Sequence, residues 1–207
     1  MVTMRQVGGL AAAALLVAGA QAQAGIAGSK HDFSGQSWAN GQICLPCHAP
    51  HNNLNGANEV LWNHKASTAT YQFYSGFQMD ASAPSAMSSA SKDCMSCHDG
   101  TVALDSFGTS NGTHFATGGA NMGTDLRNDH PVSIDYTPTI ASSDGTLWNP
   151  HTQLSGLAGG GTIEDDMTFG GKIECRSCHD VHNRFSIAGM LKKSNSGSEL
   201  CLTCHNK

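Results

Sequence analysis

The sequence predicts a small exported domain that is mostly coil, with a few short helices and minimal strand, its core filled by something other than aliphatic side chains. Three observations carry this expectation. Leu, Ile, Val and Phe together make up only 35 of 207 residues, below the roughly 20% with which a chain can be expected to build its own core. Gly numbers 24, and clusters of Gly, Asn, Ser and Asp break up the long middle of the chain, where turns and loops are therefore expected. Cys at 8 and His at 11 are the anomalies of the composition. Charged residues are only 13%, so a charge-extended disordered chain does not fit. The formal charge of -5 and scattered cations, Lys192 and Lys193 being the one adjacent pair, exclude a nucleic-acid binder, which needs a basic stripe.

In chain order, residues 1–24 read as a secretory signal peptide. Arg5 precedes an apolar stretch over 8–20, and Ala20-Gln-Ala22-Gln-Ala24 ends it with an A-x-A cleavage site. The apolar stretch is shorter than the roughly 20 residues of a membrane-spanning helix, so no membrane span is expected after processing. Residues 25–207 form one domain. Short helices are expected over 85–98 and 198–205, with Ser198 as a cap for the second. The best strand patterns cover 132–136 and 171–174. Turn formers at 109–113, 118–119, 144–145 and 159–161 mark loops that wrap around whatever fills the core.

The cysteines say what that is. All eight fall into four pairs two residues apart, each followed at once by His: Cys44-Leu-Pro-Cys47-His48, Cys94-Met-Ser-Cys97-His98, Cys175-Arg-Ser-Cys178-His179 and Cys201-Leu-Thr-Cys204-His205. Four such coincidences have a chance probability of about 10⁻⁵, and C-x-x-C-H is the attachment motif of c-type haem. Positions i, i+3 and i+4 share one face of a helical turn, so two thiols can bond the haem vinyl groups while the imidazole reaches the iron. Four disulfides or two zinc sites would use the same thiols, but neither explains the His. Four covalently attached haems also supply the apolar surface that the side chains lack.

With His48, His98, His179 and His205 as proximal ligands, His31, His51, His64, His114, His130, His151 and His182 remain. His51 and His182 each follow a proximal His by three residues. Each emerges on the same side of the turn and can serve a neighbouring haem but not its own. His130, within Asn-Asp-His-Pro, has a carboxylate nearby to fix its tautomer. His31 lies near the new amino terminus on an arm expected to be mobile, and His64 follows Leu61-Trp-Asn. These five are the candidate distal ligands. His114 and His151, among Gly, Asn and Pro, read as loop residues.

Cys175-Arg-Ser-Cys-His-Asp-Val-His182, followed by Leu191 and Leu200-Cys-Leu-Thr-Cys-His205, resembles the doubled C-x-x-C-H unit of multihaem cytochromes c. His31-Asp-Phe-Ser, Cys44-Leu-Pro-Cys-His-Ala-Pro-His51, Leu61-Trp-Asn-His64, Cys94-Met-Ser-Cys-His-Asp-Gly-Thr-Val-Ala103 and Asn128-Asp-His-Pro-Val132 extend the likeness over nearly all of 25–207. In this order they are similar to tetrahaem c-type cytochromes of metal-reducing bacteria, most closely the outer-surface cytochrome E type. That resemblance implies His31, His51, His130 and His182, with His64, as distal ligands. It also implies a head-to-tail homopolymer, an extracellular filament in which a His of one subunit can complete an iron in the next. The function expected is electron transfer through bis-His haems, with other redox cytochromes and extracellular acceptors as partners. A monomeric periplasmic carrier and a haem reductase enzyme with one open iron are the alternatives.

Overall fold

The computed structural model describes residues 25–54, 61–76 and 79–207; the expected signal peptide over 1–24 lies outside them. Helix α1, Ser89–His98, is the longest element among the described residues. It begins later than the expected 85–98 because Ser88 is extended and its N–H is already taken by Ser133 Oγ at 3.0 Å. Helix α2, Pro138–Asp144, has a full set of local signals: Thr137 caps Ile140 N, Pro138 occupies the first turn, and Gly145 closes the helix at φ +71°. Helix α3, Ile163–Met167, starts from a capping box of Thr162 and Asp165. Both stand in the stretch expected to be loop. Helices α4, Cys175–Cys178, and α5, Glu199–Leu202, are single turns. The expected cap at Ser198 does not form. Its backbone is left-handed at φ +63° and its side chain makes no capping bond.

The strands are two-residue ladders. β1, Gln72–Phe73, pairs in parallel with β2, Asp125–Leu126, and β3, Ile134–Asp135, pairs antiparallel with β4, Lys172–Ile173. β3 and β4 fall within the two segments whose pattern predicts strand. The fold is thus mostly coil, with few short helices and minimal strand, as expected.

Among the described residues two apolar clusters form. One gathers Tyr136, Ala141, Ile163, Met167, Ile173 and Leu200; the other holds Tyr71, Met95 and Leu126. Neither includes any described residue before Ala69. The described residues of the first third of the domain, which carries the first C-x-x-C-H motif, form no aliphatic cluster of their own, which leaves hydrogen bonds and a non-protein group to hold them.

Candidate haem centre

All four C-x-x-C-H segments adopt one helical turn. The N–H of His48 donates to Cys44 O at 2.8 Å, that of His179 to Cys175 O at 3.1 Å and that of His205 to Cys201 O at 2.9 Å, while Cys94 to His98 closes α1. Both thiols and the imidazole therefore share a face, as the spacing requires. No disulfide joins any of the eight cysteines.

Three of the turns are held by the same two-bond strap, which the sequence did not announce. Ala49 N donates to Leu61 O at 3.0 Å and Asn63 N to Cys47 O at 2.9 Å. Asp180 N donates to Met190 O at 2.7 Å and Lys192 N to Cys178 O at 2.8 Å; Asn206 N donates to Thr146 O at 2.7 Å and Trp148 N to Cys204 O at 2.9 Å. Each strap places an extended residue, Trp62, Leu191 or Leu147, opposite the motif His. It fixes the backbone from which the imidazole projects.

The motifs lie in one spatial order. Asn63 Nδ2 donates to Leu45 O at 2.9 Å while the neighbouring His64 ring lies 3.5 Å from Cys97 Sγ, Cys175 N donates to Ser91 Oγ of α1 at 3.1 Å, and Cys178 and Cys204 pack against the same apolar cluster. The four attachment sites are therefore neighbours as first to second, second to third and third to fourth. Burial pushes the Cys97 and Cys204 thiols up to about 12 and that of Cys47 to about 11, so they stay protonated at neutral pH.

The imidazoles fall into pairs. The rings of His48 and His182 lie 6.3 Å apart, those of His31 and His98 6.0 Å, and those of His130 and His205 6.3 Å. Two metal–nitrogen bonds of about 2 Å, plus the two half-rings, put axial imidazole centroids about 6 Å apart. Each pair joins a motif His to one of the remaining His. Second nitrogens are also anchored: His98 Nδ1 faces Ala120 O at 2.7 Å, His179 Nδ1 faces Gly189 O at 2.8 Å and His130 Nδ1 faces Pro131 O at 2.9 Å. Such bonds leave Nε2 with its lone pair for a metal.

His31 is not on a free arm. Asn183 Nδ2 donates to Gly25 O at 3.0 Å, and a Cβ at Gly25 would lie 2.3 Å from His182 O, so the start of the domain is seated on the loop that carries His182. Burial, then the charge of His98, holds the His31 imidazole down to about 4, while its ring N–H donates to Val181 O. The ring is neutral, the form that binds a metal.

His64 is enclosed differently. Its Nδ1 and Nε2 each face a carbonyl, Lys65 O and Ala103 O, both at 3.0 Å, and burial lowers its pKa. His51 is exposed. Among the described residues no second imidazole stands at axial spacing from His179. His114 pairs with Asp105 at 2.7 Å and His151 with Glu164 at 3.0 Å.

The residues fit haem in two further ways. The indole Nε1 atoms of Trp38 and Trp62 are buried without a partner, and Trp62 stands edge-on to His48; unpaired donors at such a site suit haem propionates. An apolar cleft lined by Phe73, Met95, Leu126, His130, Val132 and Cys175 offers the flat, oily wall that a macrocycle needs.

Two buried carboxylates flank α1, and neither was singled out from the sequence. Asp99 accepts from Ser67 Oγ, from Tyr71 OH at 2.7 Å and from Thr101 N at 2.7 Å. Burial would raise its carboxyl, but these hydrogen bonds outweigh it and hold the group below the usual range. Glu174, 2% exposed, accepts from Ser91 and Ser133. The only sequence signal is an acidic residue beside a motif, at positions that also suit solvent.

Among the described residues no helix is long and apolar enough to cross a membrane. No curated protein matches the chain. Residues 168–207 match the family model described as the doubled CXXCH motif, the segment that holds the third and fourth motifs. The match supports a multihaem c-type cytochrome, with covalently attached haem and a part in electron transfer.

Proposed function

We propose that the chain carries four c-type haems in the order of its motifs and passes electrons along them, as the subunit of an extracellular filament that respires external acceptors. The observation that carries this reading is the set of three imidazole pairs at 6.0–6.3 Å. Bound there, haem supplies a one-electron Fe(III)/Fe(II) couple with no open iron position. The residues do the rest. His48 with His182, His98 with His31 and His205 with His130 would each hold one iron, so all three pairs would tie distant parts of the chain together. Contact between successive attachment sites keeps the path short from motif to motif.

His179 and His51 complete the scheme. His31, on the arm expected to be mobile, faces His98 within its own chain. His51, exposed and unpaired among the described residues, is the one remaining candidate ligand that can leave its subunit to serve the His179 iron of the next copy. His64, with both ring nitrogens facing carbonyls, is left out of the axial set. The protein is exported, takes electrons from other redox cytochromes and is not an enzyme.

The test is the haem-loaded protein matured in a host with haem-attachment machinery. Mass spectrometry is expected to show four haems per chain and electron paramagnetic resonance only low-spin iron, with haem-stained filaments in negative-stain micrographs. His51→Ala is expected to abolish the filaments and leave one high-spin iron. Dispersed four-haem particles in a periplasmic fraction would point instead to a soluble carrier, and a high-spin signal in the unaltered filament would revive the reductase.

A further inference from the structure

The joint between the second and third motifs contains a charge that neither attachment nor ligation requires. Helix α1 delivers Cys94 and α4 delivers Cys175, and the two helices are joined by the bond from Cys175 N to Ser91 Oγ. Glu174 immediately precedes Cys175 and is 2% exposed. Its Oε2 accepts from the hydroxyl of Ser91 on α1, and from that of Ser133 at 3.1 Å. Ser91 Oγ in turn accepts from Cys175 N at 3.1 Å, and Glu174 N donates to Ser177 Oγ at 2.8 Å. The carboxylate is therefore held from two distant segments of chain, at Ser91 and Ser133. Among the described residues no Lys, Arg or His forms an ion pair with it.

Buried carboxylates are normally paired with a cation or coordinate a metal. This one has only neutral donors, so its field spreads through a low-dielectric neighbourhood. A one-electron reduction adds negative charge at the iron. A fixed anion nearby disfavours that change, and burial and nearby charge are among the means by which a protein sets haem potential.

We propose that Glu174 shapes the electron path: its carboxylate lowers the midpoint potentials of the haems on the second and third motifs relative to the first and fourth. The inference rests on the haem reading above. It adds a step in potential along the path, because electrons are held less tightly at the joint than at either end. No bond to the carboxylate forms or breaks; one electron arrives at each ferric iron from its neighbour and leaves to the next.

The experiment is spectroelectrochemical titration of the haem-loaded protein as isolated, beside Glu174→Gln and Glu174→Asp. Haem count by mass and low-spin spectra establish loading first, so a chain without haem fails the functional reading and is distinguished from a failure of this one. In loaded Glu174→Gln, one or two of the four midpoints are expected to move to more positive potential while the others stay, and Glu174→Asp is expected to stay near the unaltered protein. Four unchanged midpoints in Glu174→Gln would overturn the proposal. Should Gln at 174 prevent loading, Ser133→Ala takes its place. Loss of a hydroxyl dipole that offsets the anion is expected to move the same midpoints to more negative potential, and unchanged midpoints there would overturn it equally.

Discussion

The second and third motifs present the same chemistry on two different supports. Cys94 to His98 ends a ten-residue helix, Ser89–His98; Cys175 to His179 is a single turn held by the strap of residues 190–192. In the second motif the residue after the first Cys, Met95, is 1% exposed and packs with Tyr71 and Leu126. In the third the same position is Arg176, whose guanidinium lies 3.8 Å from the centre of the Phe169 ring. Both are followed by His-Asp, but Asp99 is held by neutral hydroxyls and a backbone N–H, whereas Asp180 is held by Arg184. A c-type motif thus needs only the turn. What secures the turn is free to vary, and the variation decides how each region responds to damage.

The largest effect is expected where a motif has neighbours on both sides. On the four-haem reading, replacing Cys94 and Cys97 by Ala removes the haem between the first and third attachment sites. Without it, the small Tyr71, Met95 and Leu126 cluster is left to hold the middle of the chain. Loss of the folded, protease-resistant protein is expected. Replacing Cys44 and Cys47, at the end of the spatial order, is expected to leave a protein with three haems and an intact carboxyl-terminal half, read by mass and limited proteolysis. Equal outcomes for the two pairs would erase the distinction between a middle and an end.

Next comes the contrast at the second motif position. Met95→Ala empties a fully buried site and is expected to cost about 2–5 kcal/mol. Arg176→Ala loses a partly exposed cation–π contact, about 0.5–1 kcal/mol. Denaturant unfolding of the two loaded variants measures both. A larger loss for Arg176 would mean that the third motif depends on Phe169 more than on its strap.

These differences also mark what was legible in the sequence. The turns themselves were, because a helical turn is local and the i, i+3, i+4 spacing of Cys94, Cys97 and His98 states its face directly. The β3 and β4 segments were too, since alternation is local, although their pairing is not. The straps were invisible: single bridges such as Leu147 opposite His205 leave no periodicity and join residues far apart in sequence. The imidazole pairs were legible only as a surplus of His, and the placement of His31 against His98 depends on Gly25 seating on the 182–183 loop. Helix α2 carried its Thr, Pro and Gly signals in plain view, but the glycine-rich setting pointed to loop.

Ser198 and Thr162 make the smallest and sharpest contrast, since both precede a short helix in the carboxyl-terminal half. Thr162 caps α3 and forms a reciprocal box with Asp165; Ser198, left-handed, caps nothing. Thr162→Ala is expected to cost about 1 kcal/mol at neutral pH, and Ser198→Ala close to nothing. Acid separates them further. The N–H and hydroxyl of Thr162 hold the Asp165 carboxyl below its ordinary 3.8, so the stability it contributes is present above that value and lost as pH falls through the lower folded value. The penalty of Thr162→Ala, followed by thermal unfolding of the loaded protein, is therefore expected to shrink as pH drops below 3.8, while that of Ser198→Ala stays flat. A penalty at Thr162 that is independent of pH would mean that its hydroxyl caps α3 without help from the carboxylate.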